Sequence, residues 1–167
     1  RRLSLVLDYH VHLWPHREVA EISELRLERL GTYVEVARDS GVTEIALTEH
    51  LFRFDAAHGI AQKFWERDPN HELAGLMAAL FDHHATVDIE HYVEAVLEAK
   101  AEGLPVLLGL EVDYYPGRMG AVAHLLDGYP FDILLGSVHW LGAWGFDMLS
   151  GAALTEWDRR SANDVWK

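Results

Sequence analysis

The stretch DYHVHLWPH, residues 8–16, places three histidines and one aspartate directly after the apolar run LSLVL of residues 3–7. A short and continuous apolar run predicts a buried strand, here one that ends at Asp8. Side chains two residues apart in an extended segment point to the same side, so His10 and His12 are expected to face one way. The sequence therefore predicts a buried strand that leads into a group of potential metal ligands.

The composition predicts one globular domain and argues against several classes of partner. The chain has 167 residues, of which 50% are hydrophobic and 25% are charged, and this is enough for one domain with a core. No apolar run approaches the roughly 20 residues that span a membrane, and we expect no signal peptide. The lack of cysteine agrees with a reducing cytosol, so a cytoplasmic protein is expected. A formal net charge of −13 argues against nucleic acid and anionic membranes as partners.

Strand and helix patterns alternate along the rest of the chain. Three more strands are predicted, at Glu44–Thr48, Pro105–Glu111 and Phe131–Ser137. Helices are predicted at residues 18–40, 72–83, 88–100 and 119–126 and from Thr155 onward, with a loop and a short helix at residues 51–70. This alternation predicts an α/β fold in which helices cover a parallel sheet.

Each predicted strand ends in a residue that can bind a metal. The first ends at Asp8, the second at Glu49-His50, the third at Glu111 with Asp113 two residues on, and the fourth just before His139. The carboxyl ends of parallel strands share one rim, so these side chains are expected to converge there. Neutral imidazole suits zinc, iron and manganese, and one carboxylate could bridge two ions.

The remaining histidines and most tryptophans are interpreted as structural residues. Histidines on or beside predicted helices, amid polar neighbours, are expected on the solvated surface; they are His71, His83, His84, His91 and His124. His58 lies in the long loop, where a structural role is also favoured. Trp140, Trp144 and Trp157 are expected to pack rather than to stack on a substrate.

Four motifs in combination resemble the PHP (polymerase and histidinol phosphatase) superfamily. They are Asp8-Tyr-His-Val-His12, Thr48-Glu-His50, Gly109-Leu-Glu-Val-Asp113 followed by Pro116-Gly117, and Tyr129-Pro-Phe-Asp-Ile-Leu-Leu-Gly-Ser-Val-His139. The stretch from Tyr129 to Trp144 is most similar to the histidinol-phosphatase branch. The resemblance implies a distorted (β/α)7 TIM-like barrel, of which this chain covers roughly the first four or five βα units. It also implies a trinuclear metal centre on the carboxyl-terminal rim.

The resemblance implies roles for the ligands of the first two metals. His10 and His12 match the pair that holds the first metal. Glu111 matches the carboxylate that bridges the first and second metals, and His139 matches a ligand of the second. These four residues would act in catalysis through bound metals and water.

The resemblance also implies a third metal and a departure from the family pattern. His50 matches a ligand of the third metal and His16 its companion, whereas Asp8 matches a residue that orients a ligand. The family continues well beyond the last residue here, with a Gly-His-x-Asp-like stretch and a late Asp-x-His pair. We therefore expect one domain over residues 1–167 that is incomplete at the C-terminus, with one protein ligand fewer for each metal.

The predicted cluster of divalent cations indicates hydrolysis of a phosphate monoester. Such cations neutralise the phosphate and activate a water, so no protein nucleophile is needed. The resemblance implies histidinol phosphate as the substrate, and L-histidinol and phosphate as the products, in histidine biosynthesis. Arg53 is a candidate phosphate clamp because guanidinium pairs bidentately with phosphate, and Arg17 and Arg118 are weaker candidates. A surface role is the alternative for each arginine.

Several other functions stay open on the sequence. A PHP phosphoesterase for a nucleotide or another sugar or alcohol phosphate is the nearest, because loops such as residues 51–70 set specificity on a shared rim. A metal-dependent amidohydrolase also uses His-x-His after its first strand, but the metal-bridging lysine and later ligand order are not found. A non-catalytic or proofreading-type PHP module of a larger polymerase and an inactive metal-binding remnant are the remaining alternatives.

Overall fold

Four parallel strands in sequence order form the centre of the fold. A computed structural model describes residues 6–16, 18–61, 64–66, 68–148 and 150–166. The strands are β1 Leu7–Val11, β2 Glu44–Leu47, β3 Val106–Asp113 and β4 Ile133–Ser137, and the sheet order is β1-β2-β3-β4. Sequential order with every pair parallel is the arrangement of a (β/α) barrel, and these strands make half of one. The predicted α/β class and partial TIM-like barrel are confirmed.

Helices connect and cover the strands. Those in the described ranges are α1 Leu27–Asp39, α2 Asp55–Ala61, α3 His71–His84, α4 Ile89–Ala101, α5 Met119–Leu126, α6 Gly151–Arg159 and α7 Ala162–Val165, with 3-10 turns at Ile22–Glu24 and Leu51–Arg53. Side chains cap several of them; Asp88, for example, accepts a hydrogen bond from the backbone N–H of Glu90 at the start of α4. Among the described helices, none has both the length and the apolar character that crossing a bilayer requires.

The first strand ends later than the sequence predicted. The prediction ended it at Asp8, whereas β1 runs to Val11 because Asp8 pairs with Ile45 and Val11 with Leu47 of β2. Residues 1–5, which carry most of the predicted strand, lie outside the described residues. The register shifts between Asp8 and Val11, but the strand includes His10.

Two helix starts also differ from the prediction. The helix expected over residues 18–40 is an α-helix only from Leu27, after the turn at Ile22–Glu24. The last helix was expected to open at Thr155, but α6 begins at Gly151, because the side chain of Ser150 accepts a hydrogen bond from the N–H of Ala153. The sequence analysis overlooked this cap.

A small hairpin that the sequence analysis did not predict follows β4. Its strands are β5 Trp140–Leu141 and β6 Trp144–Gly145, which pair antiparallel. The indoles of Trp140 and Trp144 are buried, and Trp144 Nε1–H donates to the carbonyl oxygen of Ala153. The two tryptophans therefore pack, as predicted, and they fix the hairpin against α6.

The pairing of β2 with β3 continues beyond the end of β2. The backbone N–H of Glu111 donates to the carbonyl oxygen of Glu49 over 2.9 Å, and His50 lies opposite Glu111 in a parallel bridge. On the helix side, the Tyr92 hydroxyl of α4 lies 2.7 Å from the carbonyl oxygen of Leu47. These contacts fix the register that brings His50 to the side of Glu111.

Gly109 in β3 occupies a position with no room for a side chain. A Cβ atom built there would lie 2.5 Å from Thr48 Cγ2 and 2.9 Å from both Ile133 Cγ2 and the carbonyl oxygen of Leu47. We expect Gly109→Ala to lower the free energy of unfolding by about 1–3 kcal/mol, because both neighbouring strands must shift. Urea denaturation followed by circular dichroism measures the change.

Gly136 in β4 provides a matched control for this prediction. A Cβ atom at Gly136 would meet nothing within 4 Å, so Gly136→Ala is expected to change the free energy of unfolding by less than about 0.5 kcal/mol. Equal stability of the two variants would show that the close approach at Gly109 does not constrain the sheet.

Candidate metal centre

Side chains from all four strand ends meet at the carboxylate of Glu111. The distances from Glu111 Oε2 are 3.0 Å to His10 Nε2, 3.4 Å to His12 Nε2 and 3.1 Å to His50 Nδ1, and Glu111 Oε1 lies 3.2 Å from His139 Nε2. Residues separated by more than a hundred positions therefore share one small volume. The structure brings these five predicted site residues together, as the parallel arrangement requires.

The sixth predicted ligand joins the same group. Nε2 of His16 lies 2.9 Å from Nε2 of His50, and the ring of His12 stacks on that of His50 with centroids 4.2 Å apart. Three sets of ligand atoms lie within 4.8 Å of one another: His10, His12 and Glu111; His12, His16 and His50; and His50, Asp113 and His139. The first two sets pair the residues as the resemblance implies.

The donor atoms fit divalent cations. Nδ1 of His12 and Nδ1 of His50 are buried and form no well-aligned hydrogen bond in the described structure, and the nearest carboxylate oxygens are those of Glu49 at 3.5 Å and Glu111 at 3.1 Å. Such atoms are costly unless something binds them. Two ligand atoms at roughly 2.0–2.1 Å from one tetrahedral zinc lie about 3.3 Å apart, and the separations around Glu111 are close to this value.

The charge state of Glu111 suits it to bridge cations. Burial alone would raise the pKa of Glu111, but the hydrogen bond from His139 and the field of His50 lower the pKa to about 2. The carboxylate is therefore ionised at neutral pH, with four imidazoles around it. A negative charge held between nitrogen donors is what binding of several cations requires.

His50 and His139 differ in their affinity for protons. Burial lowers the pKa of His50 to about 3, although the negative charge of Glu111 opposes this shift, so the neutral ring has a lone pair available at neutral pH. Burial also disfavours the charged form of His139, but the hydrogen bonds to Asp113 and Glu111 outweigh it and raise its pKa to about 10. The same carboxylates would attract a metal cation in place of that proton.

Asp113 orients His139, a role that was not predicted, although Asp113 was named among the residues at the strand ends. Its Oδ1 lies 2.7 Å from His139 Nδ1, and its Oδ2 accepts hydrogen bonds from the N–H of Phe52 and the hydroxyl of Tyr115. These contacts occupy both oxygens and leave His139 Nε2 turned toward Glu111. We therefore infer an orienting role for Asp113. Its position two residues after Glu111, on the same face of β3, was the signal for it.

Glu49 is the second residue at a strand end whose supporting role was not predicted. Its carboxylate is fully buried, with Oε1 3.5 Å from His12 Nδ1, and Oε2 accepts hydrogen bonds from the N–H groups of Leu13 and Trp14. Burial alone would raise the pKa of Glu49, but His12 and Arg53 together lower it. The ionised carboxylate thus holds the segment after β1 against the end of β2.

Arg53 does not clamp phosphate, and that prediction is wrong. Its side chain is 0% exposed. Nη1 donates to the carbonyl oxygen of Glu18, Nη2 donates to those of Trp14 and Pro15, and Nε lies 3.1 Å from Glu49 Oε1. All of its nitrogens are turned to the protein, so Arg53 holds the loop that carries His16.

Three further residues were predicted to support the ligands or to bind substrate: Asp8, Arg118 and Arg17. Asp8 is exposed, and its Oδ1 accepts a hydrogen bond from the backbone N–H of His10, so it supports the strand rather than an imidazole ring. Arg118 is exposed just before α5, and its role in binding substrate stays a prediction. Arg17 lies outside the described residues.

One of the histidines expected on the surface is buried. The side chains of His71, His83, His91 and His124 are exposed, but His84 at the end of α3 is only 6% exposed and packs near the ring of Phe52. Burial lowers the pKa of His84 to about 4. His58 lies away from the cluster, with Nε2 3.1 Å from Asp82. The prediction for His84 is wrong because His84 lies on the side of α3 that faces the core, whereas His83 lies on the exposed side.

A cavity of about 400 Å³ opens beside the cluster. Its walls are formed by His16, His50, Phe52, Leu80, His139, Trp140, Asp147 and Met148. Three predicted ligands thus face aromatic and apolar side chains across a space large enough for a small molecule. A larger cavity of about 680 Å³ lies at the amino-terminal ends of β2 and β3, between residues 31–45 and 103–105, and is remote from the donor atoms.

Comparison with known proteins gives one family match and one similar protein. Residues 23–163 match the PHP domain family. A stretch of 75 residues is 37% identical to a probable histidinol-phosphatase of Deinococcus radiodurans, and it covers 45% of this chain. The same stretch spans 28% of the length of that relative.

Replacement of His50 is expected to remove more metal than replacement of His10. His50 is buried and belongs to two of the three ligand sets, whereas His10 is exposed and belongs to one. After zinc loading and gel filtration, His50→Gln should retain clearly fewer ions per chain than His10→Gln by elemental analysis. His91→Gln, on the exposed side of α4, is the control and should match the unaltered chain; a full complement in His50→Gln would contradict the ligand assignment.

Replacement of Arg53 is expected to destabilise the protein strongly. Arg53→Met leaves Glu49 buried without its cation, which should lower the free energy of unfolding by about 3–5 kcal/mol. Arg53→Lys should be intermediate, because one ammonium group cannot reach every acceptor. Urea denaturation measures both variants.

Arg118→Met is the control for Arg53. Because Arg118 is exposed, its loss should change the free energy of unfolding by less than about 0.5 kcal/mol. If Arg53→Met instead kept full stability and only weakened the binding of inorganic phosphate, the phosphate-clamp prediction would be reinstated.

Proposed function

Because the chain belongs to the PHP domain family, we propose that it is a metal-dependent phosphoric monoester hydrolase whose substrate is histidinol phosphate. The observation that carries this proposal is the meeting of four imidazoles at the buried carboxylate of Glu111, next to a cavity of about 400 Å³. A phosphate monoester is dianionic at neutral pH, so a binding site for it needs concentrated positive charge. A group of bound cations is one way to supply that charge in a protein with a net charge of −13.

The proposed ligand roles follow the resemblance, and the distances between the donor atoms are compatible with them. We propose that His10, His12 and Glu111 hold one cation, that Glu111 with His139 holds a second, and that His16 with His50 holds a third. Cations bound there would neutralise the phosphate and make a water molecule acidic enough to attack it at neutral pH. Imidazole and carboxylate donors suit zinc, iron or manganese. The number and identity of the cations stay predictions.

The surrounding residues would keep the ligands in place during the reaction. Asp113 fixes the ring of His139, Glu49 fixes that of His12, and Arg53 fixes the loop that carries His16. Such support keeps the donor atoms in position, so little reorganisation is needed when charge develops on the phosphate. Phe52 and Trp140, whose rings contact those of His50 and His139, would exclude water from the organic part of the substrate.

Water is the proposed nucleophile. The side chains that line the cavity in the described structure include no serine, threonine or cysteine. Histidine and aspartate are present, but the histidines are assigned to cations. An attacking water accounts for the product phosphate without a covalent enzyme intermediate.

Histidinol phosphate is proposed on two grounds. The relative in Deinococcus radiodurans is named a probable histidinol-phosphatase, and the stretch from Tyr129 to Trp144 resembles that branch of the superfamily. The protein would then act in histidine biosynthesis. A different phosphate ester is the second candidate, because the stretch that matches this relative is 37% identical and covers only 45% of this chain. Cytoplasmic location and the absence of nucleic acid partners stay predictions.

Phosphate release by the metal-loaded chain tests the proposal. The chain is loaded in turn with zinc, manganese and ferrous iron, and phosphate release is measured from histidinol phosphate, glycerol phosphate and adenosine monophosphate. We expect turnover of histidinol phosphate at the highest kcat/KM, and we expect chelation of the metal to abolish it. Glu111→Gln should lower kcat at least about a hundredfold, because the bridging charge is lost.

The control for this assay is Glu98→Gln, an exposed carboxylate on α4. It should leave kcat unchanged. Hydrolysis of another ester in preference to histidinol phosphate would favour the second candidate. A chain that holds metal and hydrolyses none of the three esters would refute the proposed function.

A further inference from the structure

Asp147 is a carboxylate on the cavity wall to which the mechanism assigns no task. It follows β6, lines the cavity, and its Oδ2 lies 3.9 Å from His139 Nε2. Its side chain is 48% exposed, so it is open to a ligand. In the described part of the chain, no lysine or arginine forms an ion pair with it.

The position of this carboxylate conflicts with a simple phosphate ester. The phosphate is proposed to bind near His139, so the negative charge of Asp147 would face another negative charge at short range. The cavity lining in the described structure contains no lysine or arginine, so only the proposed cations would reduce this repulsion. A ligand that carries its own positive charge would change this repulsion into attraction.

The apolar part of the cavity wall, next to His50 and His139, suits an organic group rather than a second anion. The rings of Phe52 and Trp140 meet edge to face with centroids 5.9 Å apart, and Leu80 and Met148 complete the apolar surface. Aromatic faces attract cations as well as apolar groups. The cavity thus combines an anion-binding side, an apolar wall and one free carboxylate close to the anion-binding side.

We propose that Asp147 determines specificity by binding the ammonium group of a 2-amino alcohol phosphate. Since Asp147 lies close to His139, the ammonium group it binds must lie close to the phosphate, which places the amine on the carbon next to the phosphorylated one. Histidinol phosphate has this arrangement, and so do other esters of 2-amino alcohols. The inference rests on the proposed phosphatase function. It adds the chemical group that the site recognises, an ammonium group next to the phosphate ester.

A pair of substrates that differ only in the amine tests the inference. We compare 2-aminoethyl phosphate with ethyl phosphate, using the zinc-loaded chain and its Asp147→Asn variant. The unaltered chain should prefer 2-aminoethyl phosphate by about tenfold in kcat/KM, as expected for one charged hydrogen bond. Asp147→Asn should lose that preference through a higher KM for 2-aminoethyl phosphate and a lower KM for ethyl phosphate, with the zinc content unchanged.

Asp158→Asn is the matched control, because Asp158 is exposed on α6 and is not among the cavity-lining residues. It should keep the preference for the amine. An Asp147→Asn variant that retains the preference would overturn the inference. So would a loss of zinc in that variant, which would make Asp147 a metal ligand instead.

Binding measured by calorimetry separates failure of this inference from failure of the proposed function. If the unaltered chain hydrolyses neither ester but binds 2-aminoethyl phosphate more tightly than ethyl phosphate, and Asp147→Asn removes the difference, recognition of the amine stands and the phosphatase proposal fails. Equal binding of the two esters, or binding of neither, would overturn the inference.

Discussion

A carboxylate buried from water needs positive charge or hydrogen-bond donors around it, and Glu111 is only 3% exposed. Its partners come from the ends of β1, β2 and β4, so no local segment of the chain could satisfy it. The parallel register of the strands brings these partners together, since the bridge between His50 and Glu111 extends the β2–β3 pairing into the site. The same register places Asp113 opposite Ser137 and so brings the start of the β4 loop, with His139, to the other carboxylate oxygen.

A second layer of buried charge determines how the imidazoles point. Asp113 is fully buried against His139, and Glu49 is fully buried against His12 and Arg53. Each of these acids would be costly in the core if its partner were absent. The metal centre and the core therefore cannot be treated as separate parts of the molecule, because the residues that orient ligands are also among the most buried polar groups.

The sequence was sufficient for the fold class and for the convergence of the predicted ligands, because both follow from strand–helix alternation and from what stands at each strand end. It was not sufficient for Arg53, whose position three residues after His50 suggested a role at the rim. Long-range contacts with Glu49 and with the carbonyl groups near Pro15 decide its role instead. The burial of His84 could have been predicted, because His84 continues the helical spacing of Leu73, Met77 and Phe81, the buried residues of α3.

The contacts of Arg53 also bear on the order in which the segments around the metal centre fold. Its carbonyl acceptors lie 35 to 39 residues earlier in the chain, so the segment that carries His16 cannot settle until the turn after β2 has docked. Closing such a long loop costs chain entropy before any contact repays it. The loop after β1 is therefore expected to become ordered late in folding, and a cation that needs His16 would bind the finished protein far better than any partly folded form.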